Sequence, residues 1–471
     1  MLTDEQKDVI LEVVKGQEVA LSAVAGSGKT STLLALVNKS GVKNALYIAF
    51  NKAIADEATE KFPYYVECRT IHSLAYKYIK PKEVKELNYD AFKQFDLLPN
   101  EAKIVINAIN KYFNSDEIDM YSFFEREFIP EKNTQPEHIK LLKYMEEVSV
   151  QIIEEMLEDR RPVTFGYLIK AFHALLVTEE LKLNYELVML DECADVTGAT
   201  LAIYNTIKAK MKIMVGDPYQ NIYGFMNTVN GFDNTEAKRM RLTKSFRVCS
   251  GIAEKVEKFC IRHLDKDFVF TGYDETEEDN SYAYIARTNS SVIKRMIKLL
   301  DSHTQFSTVR ETSKIFGLVL ALSTANSGKE VKSRDYLFLN GIYANYRKYL
   351  RTARKHIGFL GYVSKHYSHD IELKGAVGLL MQLAGEQTSI WDIFNRVKAI
   401  TPNPDIVVAT AHSVKGLEYS TVELEDDLNC TILDILEEGG PSTEEELSEF
   451  YLYYVATTRA KHKLLNCSAL D

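Results

Sequence analysis

The sequence predicts an α/β protein with two parallel-sheet domains, each interrupted by a mostly helical insertion. Short apolar runs alternate with amphipathic stretches in the first 80 residues, a pattern typical of parallel strands covered by helices. Strand-like runs return at 187–190, 212–215, 281–286 and 405–409, with long charged helical stretches between them. A chain of 471 residues that is 46% hydrophobic is long enough for several folded units.

The changes of pattern along the chain give the expected elements and boundaries. Residues 18–24, 31–37, 44–49 and 54–61 are predicted as strand, helix, strand and helix. From 81 onwards helix-period stretches replace the strand signals. The expected parts are a first sheet domain at 1–80 and 162–240, a first insertion at 81–161, a second sheet domain at 241–305 and 402–471, and a second insertion at 306–401.

A glycine-rich segment, A-V-A-G-S-G-K-T at Ala23–Thr30, joins the first strand to the first helix of this pattern. Its small residues let successive backbone N–H groups surround phosphate oxygens. Lys29 is placed to reach the β and γ phosphates of ATP, and the Thr30 hydroxyl is placed to ligate Mg²⁺. Ala23 stands where the strict G-x-x-x-x-G-K-[ST] pattern has glycine. The residues expected to contact the nucleotide are Ala25, Gly26, Ser27, Gly28, Lys29, Thr30 and Ser31.

Acidic and amide side chains follow two later strands. Asp191 and Glu192 end the run L-V-M-L-D-E, where Asp191 suits the Mg²⁺ shell and Glu192 suits the general base that orients the attacking water. Gln220 lies in V-G-D-P-Y-Q-N-I-Y-G-F and is placed to sense the γ-phosphate, with Tyr223 and Phe225 close behind it. Downstream of a phosphate loop, these residues predict ATP hydrolysis.

Three further segments place cations at element ends: L-T-K-S-F-R at 242–247, A-T-A-H-S-V-K-G-L-E at 409–418 and Y-V-A-T-T-R-A-K at 454–461. The order and residue patterns of all these segments resemble the motifs of the superfamily 1 helicases of the UvrD/Rep/PcrA type. The sequence segments at 50–58 and 68–76 look most like those of the F-box DNA helicase branch and its phage and bacterial relatives. No F-box is recognised ahead of Leu2, where the helicase-like wording begins.

The resemblance implies two RecA-like domains that use ATP and Mg²⁺ to move on DNA. It implies that Gln6 reads the adenine edge and that Phe246 stacks on the adenine ring. Glu418 would meet the ribose. Arg247 and Arg459 would reach the γ-phosphate as two arginine fingers, and such cations raise phosphoryl-transfer rates by orders of magnitude.

The resemblance also implies a single-stranded DNA path across both sheet domains, with bases stacked on aromatic rings. The residues it assigns to that path are Asn51, His72, Tyr223, Phe225, Thr410 and His412. Phe225 fits either a base-stacking wedge or an ordinary core position. Two positions depart from the family pattern: Ala194 replaces a glutamine, and Met226 replaces an arginine. Both bear on how tightly ATP and DNA binding are coupled.

Charge is distributed unevenly behind a net charge of −10. Residues 418–449 hold 12 acidic side chains and no lysine or arginine, and they fit either a solvating loop or a docking place for a protein partner. Residues 306–400 hold 14 basic and 7 acidic side chains. There Arg347 and Arg351, followed by Arg354 and Lys355, share one helical face, which fits either a duplex- or junction-binding surface or a solvated basic surface.

The sequence therefore predicts an ATP-dependent translocase and helicase on single-stranded DNA, moving 3′ to 5′, in replication, repair or recombination. One alternative is a translocase that displaces proteins or limits recombination with weak unwinding; another is an ATP-gated nucleic-acid-binding subunit of a larger complex. Six scattered cysteines indicate a reducing compartment without structural zinc. No apolar run suits a membrane span. The expected location is the cytoplasm of a bacterial or phage-infected cell, near the nucleoid.

Overall fold

The chain forms two compact units, Met1–Thr243 and Lys244–Asp471. None of the helices that can be described combines the length and apolar composition needed to cross a bilayer. The computed structural model describes residues 2–130, 135–222, 228–275, 279–352 and 356–470.

The first unit is a parallel sheet with helices on both faces. A two-stranded antiparallel ladder, β5 with β7, lies beside the main sheet. In chain order the elements are α1 Asp4–Val14, β1 Val19–Ala23, α2 Lys29–Ser40, β2 Ala45–Ala49, α3 Lys52–Lys61, β3 Val66–Thr70, α4 Ile71–Ile79, α5 Pro99–Asn114, α6 Met120–Glu127, α7 Pro136–Leu157, α8 Phe165–Val177, β4 Tyr185–Leu190, β5 Val196–Thr197, α9 Gly198–Thr206, β6 Ala209–Gly216, β7 Thr228–Val229 and β8 Lys238–Leu242.

The main sheet has the strand order β3-β2-β4-β6-β1-β8, and every pairing is parallel. Strand β1 lies between β6 and β8, with Leu21 opposite both Val215 and Met240. Because carboxyl ends of parallel strands meet at one edge, the segments that follow β1, β2, β3, β4 and β6 all emerge there.

Side chains of the buried strands alternate between two cores. Tyr47 and Met189 pack toward α1, α2 and α3, whereas Leu46 and Val188 pack toward α4, α8 and α9. The helices of the first insertion extend the second of these cores, since residues such as Ile109 belong to the same apolar cluster. The insertion is therefore packed onto one face of the sheet.

The second unit repeats this plan with a five-stranded sheet. Its elements are α10 Ser250–His263, β9 Tyr282–Ala286, α11 Asn289–Asp301, β10 Ser307–Thr308, α12 Thr312–Asn326, α13 Phe338–Thr352, α14 Phe359–His366, α15 Ile371–Gly385, α16 Ile390–Lys398, β11 Ile406–Thr410, β12 Tyr419–Leu424, α17 Asp426–Glu437, α18 Glu444–Thr457 and β13 Ala460–Leu465. The strand order is β10-β11-β9-β12-β13, again all parallel. The predicted fold class, two RecA-like parallel-sheet domains with helical insertions, is confirmed.

The acidic stretch 418–449 is not a loop. It forms β12, α17 and the start of α18, and several of its carboxylates neutralise arginines inside the unit. Arg295 contacts Glu423 at 2.8 Å and also pairs with Glu425. Arg287 makes two hydrogen bonds with Glu449, at 2.6 and 2.7 Å. The reading of this stretch as a solvating loop is therefore wrong.

A buried asparagine holds the carboxyl-terminal turn of the second unit. Asn429, 3% exposed on α17, donates to the backbone oxygen of Asn466 at 2.7 Å and accepts from the Tyr453 hydroxyl at 2.8 Å and the Ala469 N–H at 3.2 Å. Removing one partner from buried hydrogen bonds leaves the others unsatisfied, at a cost of about 1 to 3 kcal/mol.

Replacing Asn429 with leucine should therefore destabilise the second unit. We expect Asn429→Leu to lower the melting temperature by roughly 4 to 8 °C, since two buried hydrogen bonds, to Tyr453 and Ala469, and the partly buried one to Asn466 are lost. The neighbouring Cys430 is exposed, and Cys430→Ala should shift it by about 1 °C or less. Differential scanning calorimetry measures both shifts, and equal shifts would contradict the role of Asn429.

Candidate active site

The glycine-rich segment forms a loop between β1 and α2. Gly26 and Gly28 adopt φ values of 73° and 81°, in the left-handed region that glycine enters without steric cost. The N–H of Ser27 donates to the backbone oxygen of Val24 at 3.1 Å, which closes the loop. The Ser27 side-chain oxygen is buried and has no hydrogen-bond partner among the described residues. A buried unpaired hydroxyl in such a loop suits a ligand with oxygen atoms.

Gln6 is fixed to the first turns of α2. Its Nε2 donates to the Thr32 hydroxyl at 2.9 Å, and that hydroxyl donates to the backbone oxygen of Gly28 at 2.9 Å. Its Oε1 accepts from the Thr3 N–H at 2.9 Å, as part of the capping box that begins α1. The structure therefore brings Gln6 close to the phosphate loop, through a threonine that the sequence reasoning did not single out.

An ion pair joins the phosphate loop to the end of β4. Nζ of Lys29 lies 2.5 Å from Oε1 of Glu192, and each side chain keeps less than a fifth of its surface exposed. Burial would lower the pKa of Lys29, but attraction to Glu192, Asp191 and Asp217 outweighs it and raises that pKa. Glu192 has φ of 52°, a left-handed conformation that costs free energy in a side-chain-bearing residue.

Asp191 lies at the same strand end and is 5% exposed. Burial, followed by repulsion from Glu192, raises its pKa, while Lys29 and a hydrogen bond from Tyr47 oppose that rise. The Tyr47 hydroxyl on the neighbouring strand β2 donates to Oδ2 of Asp191. Tyr47 thus orients the carboxylate expected to hold the metal, and the sequence reasoning missed it because it reads as an ordinary apolar strand residue.

Gln220 is held by an aspartate that ends β6. Its Nε2 donates to Oδ2 of Asp217 at 2.7 Å, and both side chains are buried. The backbone N–H of Gln220 also donates to the Asp217 backbone oxygen at 3.0 Å. The structure thus brings Lys29, Asp191, Glu192 and Gln220 to one edge of the sheet. The signal for Asp217 was its place directly after a strand, two residues before Tyr219.

These residues fit a magnesium nucleotide. A hydroxyl at Thr30 and a carboxylate at Asp191 are the hard oxygen ligands that Mg²⁺ prefers. The positive end of α2 begins at Lys29, directly after the loop, and favours phosphate charge. Of the predicted contacts, Ser31 is exposed at this helix start, while Ala25 is buried.

The second unit contains the predicted adenine-stacking residue. Phe246 is 37% exposed, and its ring meets the edge of Tyr273 at a centroid distance of 5.7 Å. Nζ of Lys244 lies 5.6 Å from the Phe246 ring and 5.4 Å from the Tyr273 ring. The three side chains form a partly exposed aromatic pair with a cation beside it, of which the sequence reasoning found only Phe246.

Arg247 and Glu418 contact each other within the second unit. Nε of Arg247 lies 2.5 Å from Oε2 of Glu418, close enough for an ion pair although the angle is not that of a hydrogen bond. Glu418 is 45% exposed, so solvent weakens the pair. The sequence reasoning assigned these residues to phosphate and ribose and did not foresee their contact.

Arg459 is enclosed by its own unit and is 1% exposed. Its Nε donates to the backbone oxygen of Val455 at 2.9 Å, and its other nitrogens donate to the Leu417 backbone oxygen and the Thr458 hydroxyl, each at 3.2 Å. These bonds join α18 to the segment before β12. Arg459 thus stabilises the unit in addition to any contact with phosphate.

Two predicted DNA contacts lie at strand ends of the first sheet. Asn51 is exposed and caps α3, accepting the Ile54 N–H at 3.0 Å with its side-chain oxygen, so its amide N–H groups point away from that bond. His72 is exposed near the start of α4, and its ring meets the edge of Phe165 at 6.0 Å. Both follow strands whose carboxyl ends share the edge used by the phosphate loop.

Thr410 and His412 lie together at the end of β11. Thr410 is 6% exposed, and its hydroxyl donates to that of Ser413 at 3.2 Å. Burial, followed by repulsion from Arg287 and Arg310, lowers the pKa of His412 to about 4. The imidazole is therefore neutral at neutral pH.

Tyr223 and Phe225, with Met226, lie outside the described residues, but both flanks of that segment are placed. Upstream, Gln220 is held by Asp217. Downstream, the Thr228 hydroxyl donates to Oδ1 of Asp195 at 3.0 Å, and β7 pairs with β5 directly after Asp195.

The substituted position of the D-E-C-A-D segment is tightly enclosed. Ala194 is 1% exposed, and a side chain on Gly216 would come within 2.9 Å of its backbone nitrogen. A glutamine at 194 would have to displace packed neighbours in this arrangement.

The basic helix of the second insertion has two different faces. Arg347 and Arg351 are exposed on α13, and neither has a carboxylate partner among the described residues, whereas Arg354 and Lys355 lie outside them. Tyr346 and Tyr349 on the same helix contact the Tyr362 ring at 5.5 and 5.2 Å and are partly buried in the core. The tyrosines therefore pack inward, and Arg347, Lys348 and Arg351 are the basic residues exposed on the described part of α13.

A phosphate loop and an acidic strand end on a RecA-like sheet define a P-loop nucleotide-binding protein. Residues 2–239 match the UvrD/REP helicase N-terminal domain. Because this match covers half of the chain, the protein belongs to the UvrD/REP helicase family. The resemblance found in the sequence motifs is thereby confirmed.

Similar proteins span this chain at low identity. It is 24% identical to F-box DNA helicase protein 1 of Schizosaccharomyces pombe, covering 98% of this chain and 57% of the relative. It is 24% identical to F-box DNA helicase 1 of Gallus gallus, covering 100% of this chain and 49% of the relative. It is 22% identical to the mitochondrial ATP-dependent DNA helicase HMI1 of Saccharomyces cerevisiae, covering 65% of this chain and 49% of the relative. The chain thus spans about half the length of these curated relatives.

Loss of the hydrogen bond from Tyr47 to Asp191 should change the pH dependence of nucleotide binding. In Tyr47→Phe the pKa of Asp191 should rise further, so protonation competes with metal at higher pH, and the acid limb of Mg²⁺-dependent nucleotide binding should move up by about 1 pH unit. Binding of a fluorescent ATP analogue measured across pH reports this shift. Tyr64 is 99% exposed, so Tyr64→Phe is the control. Coinciding acid limbs for the two variants would contradict the assignment.

Proposed function

We propose that the protein is an ATP-dependent translocase and helicase that moves 3′ to 5′ on single-stranded DNA. The observation that carries this proposal is the contact between Lys29 and Glu192, with Asp191 buried beside them. It joins a phosphate-binding cation to a general base and a metal ligand. Membership of the UvrD/REP helicase family supports DNA as the track.

The proposed chemistry divides among residues of the first unit. Lys29 and the loop backbone bind and orient the β and γ phosphates, and Mg²⁺ supplies charge neutralisation when bound with ATP. Lys29 leaves the Glu192 carboxylate when it binds the nucleotide. Glu192 then orients the attacking water and accepts its proton. Gln220, fixed by Asp217, links the γ-phosphate to the segment that carries Tyr223 and Phe225.

The proposal assigns the arginines and the aromatic pair of the second unit to the same nucleotide. Phe246 stacks on the adenine, while Arg247 exchanges the Glu418 carboxylate for a γ-phosphate oxygen and frees Glu418 to meet the ribose. Because nucleotide would draw on residues from both units, binding and hydrolysis would alternate their association, which is the physical basis of stepping.

DNA contacts are proposed for the exposed or strand-end positions. Exposed Asn51 and His72 in the first unit and Thr410 and His412 in the second suit contacts with phosphates and sugars. Arg347 and Arg351 suit the duplex ahead of the strand, because two exposed guanidinium groups without a carboxylate partner among the described residues retain their attraction for phosphate.

One observation favours a second candidate, a translocase that displaces proteins with little unwinding of its own. Ala194 occupies the position where the family has glutamine, and its short side chain is buried. A coupling contact between ATP and DNA would then be missing. The two candidates share ATP hydrolysis and differ in strand separation.

The central test is ATP turnover with and without single-stranded DNA, beside strand separation on a 3′-tailed duplex. DNA should stimulate turnover and the tailed duplex should be opened. Stimulation without strand separation would favour the second candidate. ATP binding without DNA-stimulated turnover would sink the motor proposal and favour an ATP-gated binding subunit.

Glu192→Gln should retain nucleotide binding and lower turnover by about 10² to 10⁴, because the amide keeps the shape but cannot accept the proton. Glu186→Gln, a substitution on the same strand near its opposite end, is the matched control. Single-turnover hydrolysis and equilibrium binding separate the two effects. Turnover of Glu192→Gln equal to that of Glu186→Gln would exclude Glu192 as the base.

The two arginines should respond differently to truncation. Arg247→Ala should lower turnover by about 10³ or more with little change in melting temperature, since its partner Glu418 is solvated. Arg459→Ala should lower turnover and also the melting temperature, because two buried acceptors, on Val455 and Thr458, and the partly buried backbone oxygen of Leu417 lose their donor. Lys258 pairs with Glu254 on the surface of the same unit, and Lys258→Ala is the control. Normal turnover in Arg247→Ala would refute its assignment as a finger.

A further inference from the structure

The second insertion contains a cavity of about 330 Å³ that the proposed motor chemistry does not use. Its walls come from α12, from the segment 331–336 and from Trp391 on α16. Small-molecule sites have volumes of about 300 to 1,000 Å³, so the cavity is large enough for a ligand the size of a nucleotide.

One wall of the cavity is a continuous face of α12. Its members recur at intervals of four, three, one and three residues, which places them on one side of a helix. At about 1.5 Å rise per residue the face is about 16 Å long, so the cavity is elongated. The side chain of Tyr336 approaches α12 closely at Gly317, where a Cβ would lie 2.6 Å from the Tyr336 hydroxyl. The wall residues of α12 include Ser313, Gly317, Leu320, Ala321 and Thr324.

The lining has an excess of positive charge. Lys314 and Lys332 face one carboxylate, Asp335. Nζ of Lys314 lies 3.9 Å from Oδ2 of Asp335, and both side chains are more than half exposed, so this pair is weak. Lys332 has no ion-pair partner among the described residues. The cavity therefore suits an anion that also accepts a hydrogen bond from the hydroxyl of Ser333, whereas the Ser313 hydroxyl donates to Oε2 of Glu311 at 3.3 Å.

An aromatic surface lies beside these cations. Trp391 is 48% exposed, although it is large and apolar. Its ring meets Phe394 edge-on at 6.4 Å, and Phe394 is anchored in turn against Phe316 at 5.3 Å. The indole is thus supported from beneath and open toward solvent, which suits stacking with a planar ring.

We propose that this cavity binds a nucleotide unit, with its base against Trp391 and its phosphate between Lys314 and Lys332. A planar ring joined to an anion matches the two halves of the lining. The unit could be supplied by a DNA strand or by a free mononucleotide. The first source rests on the proposed function, since it requires DNA to reach the second insertion; the second does not.

Trp391 is the single tryptophan of the chain, so its intrinsic fluorescence reports this cavity directly. The full chain carrying Lys29→Met, which disables the phosphate loop, is titrated with dAMP and separately with a single-stranded deoxyadenosine oligonucleotide. Stacking of a base on the indole should quench the emission in a saturable manner. Quenching by dAMP at equal or lower concentration identifies a free nucleotide, and quenching by the oligonucleotide alone identifies the strand.

A matched pair of lysine variants separates the cavity from general electrostatic attraction. Lys332→Ala, in the cavity wall, should weaken the quenching affinity by about tenfold at low salt. Lys329→Ala removes an exposed cation of the same segment outside the wall and should change it by about twofold or less. Absence of quenching by both ligands, or equal weakening in the two variants, overturns the proposal. DNA-stimulated ATP turnover of the wild type, measured in parallel, tests the motor proposal independently of the tryptophan signal.

Discussion

The parallel pairing of β1 with β6 and β8 is the constraint on which the first unit depends. It aligns the phosphate loop with the segments after β2, β4 and β6, so that Lys29 meets Glu192 across 163 positions of sequence. An antiparallel strand at any of these places would send its acidic or amide residue to the opposite edge. In the second unit Thr410 likewise ends β11, whereas Glu418 directly precedes β12 and so lies at the opposite end of its strand.

The charge balance at this edge suits the divalent cation of the proposed function. Three buried or half-buried carboxylates, Asp191, Glu192 and Asp217, surround the single ammonium of Lys29. A triphosphate brought to this edge alone would meet net repulsion. Together these four side chains carry a net charge of −2, which a divalent cation held by Asp191 would bring to zero. Burial and repulsion from Glu192 raise the pKa of Asp191, so its negative charge is unfavourable at this edge.

The sequence was sufficient for the parts of the site that are local. The loop at Ala23–Thr30 and the acidic pair after β4 are recognisable because each lies within a few residues of a strand end. Tyr47 and Thr32 were missed because their partners, Asp191 and Gln6, are distant in sequence, and nothing near Tyr47 in the sequence marks a tyrosine in a buried strand as a hydrogen-bond donor. Asp217 was missed although its partner Gln220 lies only three residues away.

The burial of side chains and their pairing with opposite charges could not be predicted from neighbouring residues in the sequence either. Arg459 is recognised as a conspicuous cation, but its enclosure depends on where β12 and α18 meet. The acidic stretch reads as solvated because its arginine partners, Arg287 and Arg295, lie more than a hundred residues away. Hydrophobic periodicity predicted the sheets and insertions well because those patterns repeat within each element.

The described residues on both sides of 223–227 are held in place, on the downstream side by the ladder between β5 and β7. The chain enters it from Gln220, bonded to Asp217, and leaves it at Thr228, bonded to Asp195. The upstream flank is thus tied to Asp217 directly after β6, and the downstream flank to Asp195 directly before β5, where backbone pairing of β7 with β5 adds to the side-chain hydrogen bond. In a motor of the proposed kind, movement at the nucleotide would reach this segment through the hydrogen bonds at Asp217 and Asp195. Neither connection involves the side chain at position 194.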